Sequence, residues 1–512
     1  MYFQNWGDAP PPGKNEDYFW GRAMGDQAIS VMKWFARGGS HMNYYMWTGG
    51  NNYGRWTGDG ITHMYAVDAI VCPDGQRHEP KFSQSTAMHQ AIAGAAAEIT
   101  SQPAQLNKEV KIGGALSGAS AYVYGKVAFL EYKNTRPEHP LLFKGHKFAV
   151  TCHSAQSHKS GCSALVDLTT GEILFETGAL ASAAKAAATR TLKPLDTALT
   201  WKSWLEPITS AECAQAPKAC SATISSKLPI EMTNITKALT TFAYYETSIG
   251  NADSITLPSW ESMAFVAFVD GVAVGSDEQH AHGSGKPWTG NIKISPSTSS
   301  SGHTLTLLAE ELGYANYGFL GELFKGLNPA QPPTLGGPDV EGADPLLDWK
   351  QRSGTAGEHM RIMDAATMDA AVVTWAPLAA GSAVRPATWL QTKFSTPKGL
   401  ADTPGGGQLL WHAVGLTRGR LWLNGWEVGR YWTLARDDAS ACPGGAATCP
   451  TQQYYHLPLA HLKDDGTENV MTIFESEGAP AGTFKGTGFA VSGMDGAPKP
   501  TASLTEVNSC VF

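Results

Sequence analysis

Two segments of the chain repeat one pattern, and this repeat constrains the fold more than any other feature. The first copy contains TTFAYYETSI (240–249) and then AFVAFVDGVAVGS (264–276), and the second contains PATWLQTKFS (386–395) and then RLWLNGWEVGRYW (420–432). Each copy passes through Asp-Gly or Asn-Gly, which strongly favours a tight hairpin turn, and continues to a Val-Gly dipeptide. The repeat predicts two related antiparallel β-sandwiches of the jelly-roll type.

The composition agrees with a turn-rich β protein of several domains. The 512 residues exceed what one hydrophobic core usually holds, charged residues make up only 16%, and there are 55 glycines and 30 prolines. Short apolar runs such as KVAFLEYKN (126–134) and GEILFETG (171–178) precede the first copy and predict a further antiparallel β domain. A stretch rich in Pro and Gly (326–345) is a candidate linker or excursion between the copies.

The first hundred residues follow a different pattern. The segment 22–37 carries apolar residues at helical spacing, HMNYYMW (41–47) predicts a short buried strand, and the segment 80–99 predicts a second helix. Helix, strand, long polar loop and helix is the order found in the last part of a (β/α)₈ barrel. Only two of the eight barrel units are present, so we expect these helices to lack the partners that would bury them.

The predicted fold class combines an α/β part with all-β domains in one multidomain chain. The order is a C-terminal remnant of a (β/α)8 TIM barrel (1–100), an antiparallel β domain (101–230) and two jelly-roll β-sandwiches (231–330 and 331–512). Each of the two sandwiches is expected to carry its own hydrophobic core.

Charge and hydropathy argue against two classes of partner. The net charge is −8 and no block of Lys or Arg stands out, so a nucleic acid is not a predicted partner. No run of 18 apolar residues occurs, so membrane insertion is not predicted. The sequence shows no phosphate loop, no HExxH and no matched CxxC pairs, and we predict neither a metal nor a cofactor.

The cysteines predict an oxidising compartment. There are eight, of which Cys72 and Cys510 stand apart, and six form the close pairs Cys152/Cys162, Cys213/Cys220 and Cys442/Cys449. An even number of cysteines in loops rich in small residues favours disulfides, and the sequon Asn234-Ile235-Thr236 agrees with secretion. We therefore expect a secreted, cell-wall or vacuolar-lysosomal protein, although this sequence shows no signal peptide.

Several segments together resemble glycoside hydrolase family 35, the retaining β-galactosidases, in their plant-type form. NYYMWTGGNNYGR (43–55) is similar to the family's eighth barrel strand and its loop, and EPKF (79–82) to the signature before the last barrel helix. WLNGWEVGRYW (422–432) and YYHLPLAHL (454–462) resemble a hairpin and a strand of the last domain. The resemblance implies hydrolysis of terminal non-reducing β-D-galactosyl residues of a glycan or oligosaccharide, with retention of configuration.

The resemblance also implies substrate-binding residues. Tyr45 falls on the family tyrosine that contacts galactose, and Trp47 and Asn51 line the same strand end and loop. Tyr65 matches the first tyrosine of a second loop, whose other usual tyrosine is Val67 in this sequence. The alternative for each of these side chains is a purely structural role in the core or a loop.

The two catalytic glutamates of the family, about 5–5.5 Å apart in a retaining site, have no match here. The acid/base glutamate belongs to an early barrel strand that this sequence does not contain. One alignment places Gln4 at the nucleophile position, and the other matches residues 2–7 to a motif downstream of the nucleophile, which then falls before Met1. We therefore expect no catalytic residue, and an incomplete and inactive portion of a β-galactosidase; the alternative is a non-catalytic carbohydrate-binding or scaffold homologue.

Cys442 and Cys449 are predicted to form a disulfide. They enclose a Pro-Gly-Gly turn, and closing so short a loop stabilises the folded state by about 2–3 kcal/mol, because it restricts the unfolded chain. Non-reducing peptide mapping of secreted protein is expected to recover both cysteines in one linked fragment. Recovery of both as alkylated free thiols would contradict the pairing.

Overall fold

A computed structural model of the chain describes most of it, and the described part is mostly β-sheet with few helices. Tyr45, Tyr65, the segment around Gln4 and the pair Cys442/Cys449 lie outside the described residues. The described residues are 24–44, 46–55, 69–72, 75, 77, 81–101, 109–112, 119–132, 140–150, 162–177, 192–195, 199–250, 252, 254–259, 263–279, 288–293, 302–313, 324–336, 345–364, 373–402, 407–413, 415–434, 453–486 and 488–492.

The described residues of the first part of the chain form three helices and then a five-stranded sheet with a separate two-stranded hairpin. The helices are α1 (Met24–Ala36), α2 (Lys81–Gly94) and α3 (Ala96–Thr100). The strands are β1 (Val110–Ile112), β2 (Ala119–Tyr124), β3 (Val127–Tyr132), β4 (Leu141–Phe143), β5 (His146–Phe148), β6 (Cys162–Asp167) and β7 (Ile173–Glu176). Antiparallel pairing gives a five-stranded sheet in the order β1-β2-β3-β6-β7, and β4 pairs with β5.

Both long helices have a partner, contrary to the sequence-based expectation that they would lack one. Met32 of α1 and Met88 of α2 are completely buried, in a core shared with Tyr124, Phe129 and other apolar residues of the five-stranded sheet. The expectation was wrong because it considered barrel strands alone, whereas one face of the neighbouring sheet supplies the apolar surface.

The predicted strand at 41–47 is not formed by the described residues of that segment. At the end of this segment the backbone forms one parallel bridge, between Thr48 and Val71. In this bridge the Val71 amide donates to the Trp47 carbonyl oxygen at 3.0 Å. A strand requires a hydrogen-bonding neighbour along its length. Within the described residues no sheet closes into a barrel.

The described residues of the rest of the chain form four further sheets, with six, three, six and four strands. Its helices are α4 (Ser210–Gln215), α5 (Met232–Thr236) and α6 (Ala356–His359), with a 3₁₀ turn at Leu459–His461. Its strands are β8 (Leu192–Leu195), β9 (Trp201–Leu205), β10 (Ile224–Ser226), β11 (Phe242–Ile249), β12 (Ser254–Ser259), β13 (Met263–Val269), β14 (Val272–Gln279), β15 (Trp288–Lys293), β16 (His303–Glu311), β17 (Thr334–Gly336), β18 (Trp349–Ser353), β19 (Ala376–Leu378), β20 (Thr388–Ser395), β21 (Gln408–His412), β22 (Arg418–Leu423), β23 (Trp426–Trp432), β24 (Tyr454–Leu457), β25 (Glu468–Glu475) and β26 (Phe489–Ser492).

These strands form two pairs of antiparallel sheets, each pair with its own core. The first sheet pair consists of the six-stranded sheet β10-β18-β11-β16-β13-β14 and the three-stranded sheet β15-β12-β17. The second sheet pair consists of the six-stranded sheet β19-β9-β20-β25-β22-β23 and the four-stranded sheet β24-β21-β26-β8. The two predicted β units therefore each appear as two facing sheets.

A third core joins the two six-stranded sheets to each other. Phe242 of β11 contacts Phe474 of β25 across the two sheets, with ring centroids 4.9 Å apart. Trp389 of β20 and Trp422 of β22, whose ring centroids are 5.3 Å apart, belong to the same core. Because each six-stranded sheet is covered on both faces, β13 and β22 are buried along their whole length. Strand β13 is accordingly a continuous apolar run rather than an alternating one, whereas β22 begins with two buried arginines, Arg418 and Arg420.

Strand pairing crosses two of the predicted domain boundaries. Strands β8 and β9 precede the first sheet pair in the chain, yet they pair with β26 and β20 of the second. Strand β18 lies beyond residue 330, yet it pairs with β11 of the first. The first sheet pair is therefore inserted between strands of the second.

The repeated hairpin is confirmed in its details. Asp270 and Gly271 in one copy, and Asn424 and Gly425 in the other, all have positive φ, between 49° and 88°, as a type I′ turn requires. In each copy the register shifts by one residue beyond the turn, so that the valine of Val-Gly is the extra residue of a β-bulge. The shared sequence pattern thus encodes a shared turn and a shared bulge.

Cys213 and Cys220, one of the three close pairs in the sequence, form a disulfide, in agreement with the expectation of disulfides. Cys213 lies in α4, which begins with a capping box formed by Thr209 and Glu212. Cys72 is also disulfide-bonded. Among the described helices, none has both the length and the apolar character needed to span a membrane.

Glu206, between the two sheet pairs, is expected to make stability depend on pH. Its carboxylate accepts hydrogen bonds from the amides of Ala356 and Gly357 and from Trp389 Nε1, at 2.8 Å for the last. Burial nevertheless raises the pKa of Glu206 from 4.5 to about 7. The folded state thus favours the protonated acid, whose stabilising contribution is complete below pH 4.5 and is lost as the pH rises through about 7.

Urea unfolding of the wild type and of Glu206→Gln at pH 5 and pH 8 measures this contribution. Relative to the variant, the wild type is expected to lose about 2–3 kcal/mol of unfolding free energy between the two pH values. Glu468→Gln, which alters a more exposed strand carboxylate, is the matched control. Parallel pH profiles for the wild type and Glu206→Gln would show that Glu206 stays ionised in the folded protein.

Candidate functional site

The structure describes two of the four predicted substrate-binding residues, Trp47 and Asn51. Both side chains are half-buried; Trp47 directly precedes Thr48, which forms the bridge to Val71, and Asn51 lies three residues after it. They take part in separate clusters: Trp47 contacts residues of the helical region, whereas Asn51 contacts the second sheet pair. Tyr45 and Tyr65 lie outside the described residues, so their placement stays a prediction.

Trp47 belongs to an aromatic cluster with Tyr44 and His89. Its ring stacks on the His89 imidazole at 5.8 Å between centroids and meets the edge of Tyr44 at 5.3 Å. The Tyr44 hydroxyl and His89 Nε2 are hydrogen-bonded at 2.7 Å. Burial lowers the pKa of His89 and raises that of Tyr44 to about 12, so both groups are neutral at physiological pH. The cluster offers aromatic faces and neutral hydrogen-bonding groups, which suits an uncharged polar ligand.

Asn51 points to the second sheet pair. Its Nδ2 donates to the Tyr53 hydroxyl at 3.0 Å and lies 3.4 Å from His456 Nδ1. The Tyr53 hydroxyl is 2.8 Å from the same nitrogen, and His456 Nε2 is 2.7 Å from Gln408 Oε1. The polar group that the sequence assigns to substrate thus takes part in an internal hydrogen-bond network.

The backbone of residues 51–55, here called the docking loop, also meets the second sheet pair. Gly54 forms a parallel bridge with Gly429 of β23, and its amide donates to the Val428 carbonyl oxygen at 3.2 Å. Arg420 Nη1 donates to the Gly54 carbonyl oxygen at 3.3 Å. Arg55 in turn donates to the Leu239 carbonyl oxygen of the first sheet pair.

Three arginines of the β22–β23 hairpin are each only 1% exposed, and each reaches another part of the protein. Arg430 donates to the Leu312 carbonyl oxygen at 2.7 Å, and Arg418 to the Phe265 carbonyl oxygen at 3.5 Å, both in the first sheet pair. Arg420 is the one that contacts the docking loop. In the sequence these arginines were identified only as parts of a family motif. Arg420 and Arg430 are opposite each other across the hairpin, and such a pair of cations could have indicated a buried polar contact.

The buried cations affect each other electrostatically. Burial and the neighbouring Arg420 lower the pKa of Arg430 to about 9, against the opposing effect of Glu310 and Glu311. Arg430 therefore remains protonated at neutral pH. Because buried charges are costly unless they are hydrogen-bonded or paired, this cluster restricts how the surrounding parts can be arranged.

Glu310 and Glu311 do not form a catalytic carboxylate pair. They are consecutive residues of β16, and consecutive strand residues point to opposite faces of a sheet. Leu308, two residues before Glu310, packs in the core between the two six-stranded sheets. A retaining glycosidase needs both carboxylates about 5–5.5 Å apart at one site that a sugar can enter.

The described residues contain no cluster of three or more His, Cys, Asp or Glu side chains that could hold a metal ion. A pocket of about 490 Å³ opens on the second sheet pair, where Thr417 and Thr433 contribute to its lining. The nearest acceptors of these threonine hydroxyls are Glu475 Oε1 for Thr417 and the Leu416 carbonyl oxygen for Thr433. These two hydroxyl protons are therefore not available to a ligand.

Comparison with known proteins places this geometry in context. The family described as "Beta-galactosidase, galactose-binding domain" matches residues 387–469. "Beta-galactosidase 6" of Oryza sativa subsp. japonica is 25% identical, and the alignment covers 89% of this chain and 54% of the relative. "Beta-galactosidase 8" of Arabidopsis thaliana is 26% identical, with coverages of 89% and 53%. The chain is similar to the C-terminal part of the family 35 β-galactosidases.

The chain spans about half the length of the curated β-galactosidases that it matches. Among solved structures, an α-L-rhamnosidase of Streptomyces avermitilis is 15% identical with a TM-score of 0.17, and covers 65% of this chain and 30% of its own. A TM-score this low does not establish a common fold.

The matched galactose-binding region is the part of the protein that the docking loop contacts. Residues 387–469 include the β22–β23 hairpin, with Arg420 and Gly429, and also His456. Both sides of this contact therefore belong to segments that resemble β-galactosidases: the docking loop on one side and the β22–β23 hairpin on the other.

Proposed function

We propose that these residues are the C-terminal part of a retaining β-galactosidase, which hydrolyses terminal non-reducing β-D-galactosyl residues of a glycan or oligosaccharide. The observation that carries this proposal is the similarity to plant β-galactosidases over 89% of the chain. The match to the galactose-binding family lies within the same stretch and supports a galactosyl ligand.

The proposed architecture follows the same resemblance. Residues 1–100 are the last part of a (β/α)8 barrel, the five-stranded sheet within residues 110–176 belongs to an antiparallel β domain, and the two sheet pairs, which include β8, β9 and β10, are jelly-roll domains. The parallel bridge between Thr48 and Val71 supports the first assignment, because parallel pairing is typical of barrel strands. The matching turn and bulge of the two hairpins support a common origin for the two sheet pairs.

The proposed substrate-binding residues are Tyr45, Trp47, Asn51 and Tyr65. Support is direct for Trp47, whose half-buried indole lies in a neutral aromatic cluster. An indole face packs well on the apolar face of a sugar ring, while neighbouring hydroxyl and imidazole groups hydrogen-bond to sugar hydroxyls. The Cys213–Cys220 disulfide supports a secreted or vacuolar-lysosomal location.

The chemistry needs two carboxyl groups, one that protonates the leaving oxygen and one that forms the glycosyl-enzyme intermediate. Neither family glutamate has a counterpart in this sequence, and the adjacent Glu310 and Glu311 lie on opposite faces of a strand. We therefore propose that residues 1–512 alone supply substrate contacts and structural support but do not catalyse hydrolysis.

Assays on purified residues 1–512 test this division of roles. Hydrolysis of p-nitrophenyl β-D-galactoside is expected to equal the buffer rate, whereas calorimetry is expected to detect methyl β-D-galactoside binding. Trp47→Ala is expected to weaken that binding about three- to tenfold, the effect of losing one aromatic contact. Trp34→Ala, which removes a tryptophan that is 50% exposed elsewhere, is the control and should leave affinity unchanged. Turnover by residues 1–512 would overturn the assignment of catalysis to residues outside them.

The alternative is a non-catalytic carbohydrate-binding or scaffold homologue, and the possible Gln4 at the nucleophile position favours it. The protein isolated from its natural source decides between the two. Hydrolysis of a β-galactoside by that protein supports the enzyme, and galactoside binding without turnover supports the alternative.

A further inference from the structure

The docking loop fits the β22–β23 hairpin so closely that the contact requires glycine on the hairpin side. Gly429 has φ of 129°, and a Cβ atom on it would lie 3.1 Å from the Gly54 carbonyl oxygen and 3.2 Å from the Gly54 nitrogen. Gly429 directly follows the bulged residue Val428, whose carbonyl oxygen accepts the Gly54 amide proton. The bulge therefore turns one backbone carbonyl away from the hairpin ladder and toward the loop.

The side-chain hydrogen bonds of the contact run in one direction. Gln408 Oε1 can only accept, so His456 Nε2 carries the proton and donates to it. In the neutral ring Nδ1 is then an acceptor, and it receives the Tyr53 hydroxyl proton at 2.8 Å. The Tyr53 oxygen in turn accepts from Asn51 Nδ2 at 3.0 Å. The donated protons thus run from Asn51 through Tyr53 to His456 and from there to Gln408, and His456 Nδ1 is the acceptor on which the loop side depends.

Aromatic packing holds Tyr53 in the same place. Its ring meets the edge of Trp426 at 5.1 Å, and Trp426 stacks on His461 at 3.7 Å. Tyr53 packs against the core of the second sheet pair. Burial raises the pKa of Tyr53, so the hydroxyl keeps its proton and remains able to donate.

We propose that the second sheet pair positions the predicted substrate-binding residue Trp47 through the docking loop, with Tyr53 as the inserted side chain and His456 as its positioning residue. Asn51 anchors the loop through the contacts of its Nδ2 with Tyr53 and His456, in addition to its proposed contact with substrate. The loop begins only four residues after Trp47, so its attachment limits where Trp47 can lie. The significance for sugar binding rests on the proposed function, whereas the positioning itself does not.

Hydrogen exchange on residues 1–512 tests the positioning without any substrate. His456→Phe keeps an aromatic ring beside Tyr53 but removes the hydrogen bonds to Tyr53 and Gln408. His456→Gln keeps one hydrogen-bond acceptor and one donor group in its side-chain amide. His456→Phe is expected to raise exchange in residues 46–55, including the Gly54 amide, about tenfold. His456→Gln is expected to restore most of the protection.

Two further variants separate positioning from loss of folding. Tyr53→Phe changes the loop side of the contact and is expected to raise exchange in 46–55, with β20 and β25 still protected. Gly429→Ala is expected to do the same through its clash with Gly54. Gly399→Ala is the matched control, because Gly399 also has positive φ, at 72°, but no atom within 4 Å of an added Cβ.

The outcomes distinguish this inference from the proposed function. Unchanged exchange in 46–55 for His456→Phe, Tyr53→Phe and Gly429→Ala, or equal exchange in the two His456 variants, would overturn the positioning role. If exchange responds as expected but calorimetry shows no galactoside binding, the positioning stands and the proposed function fails. If galactosides bind, His456→Phe should weaken binding and His456→Gln should recover it.

Discussion

The buried guanidinium groups of one hairpin are the constraint on which the assembly of this protein depends. Arg418 and Arg430 donate to backbone carbonyls of the first sheet pair, and Arg420 donates to the docking loop. A buried cation without partners costs several kcal/mol. Arg418 and Arg420 also pair with Glu477 and Glu427, at 2.9 Å and 3.3 Å, so separating the parts costs each guanidinium its hydrogen bonds between the parts rather than all of its partners. Apolar contacts between the sheets are compatible with several relative positions of the parts, whereas these directional hydrogen bonds are satisfied in only one of them.

The apolar contacts explain why the hairpin lies where it does. The indoles of Trp389 and Trp422 and the ring of Phe474 fill the space between the two six-stranded sheets. Sheets covered on both faces have no solvated side to receive polar residues, and so the arginines of this hairpin must find partners within the interface. Hydrophobic burial therefore sets the proximity of the parts, and the polar groups set their orientation.

Local features of this fold could be read from the sequence, and the partners of each element could not. The Asx-Gly and Val-Gly dipeptides predicted the turns of both hairpins, and the disulfide between Cys213 and Cys220 agrees with the expectation from the close cysteine pairs. Nothing in the short sequences of β8 and β9 indicates that they pair with strands far along the chain. The spacing of apolar residues shows which side chains are buried, but it does not show which strand lies beside them. Asn51 shows the same limit at the candidate site: a motif match names the residue but not the direction of its amide.

The insertion of the first sheet pair between strands of the second has a consequence for the order of synthesis. Leu192 of β8 pairs with Ser492 of β26, which leaves the ribosome 300 residues later. At roughly 5–20 residues per second this delay is about 15–60 s for β8. Strand β9 waits for a shorter time, because its partners β19 and β20 are complete at Ser395. The first sheet pair is complete once β18 ends at Ser353, so it can fold while the second still waits. At that stage the nascent chain contains a folded first sheet pair and two unpaired strands, β8 and β9. These unpaired strands are the part of the chain to which a chaperone would bind.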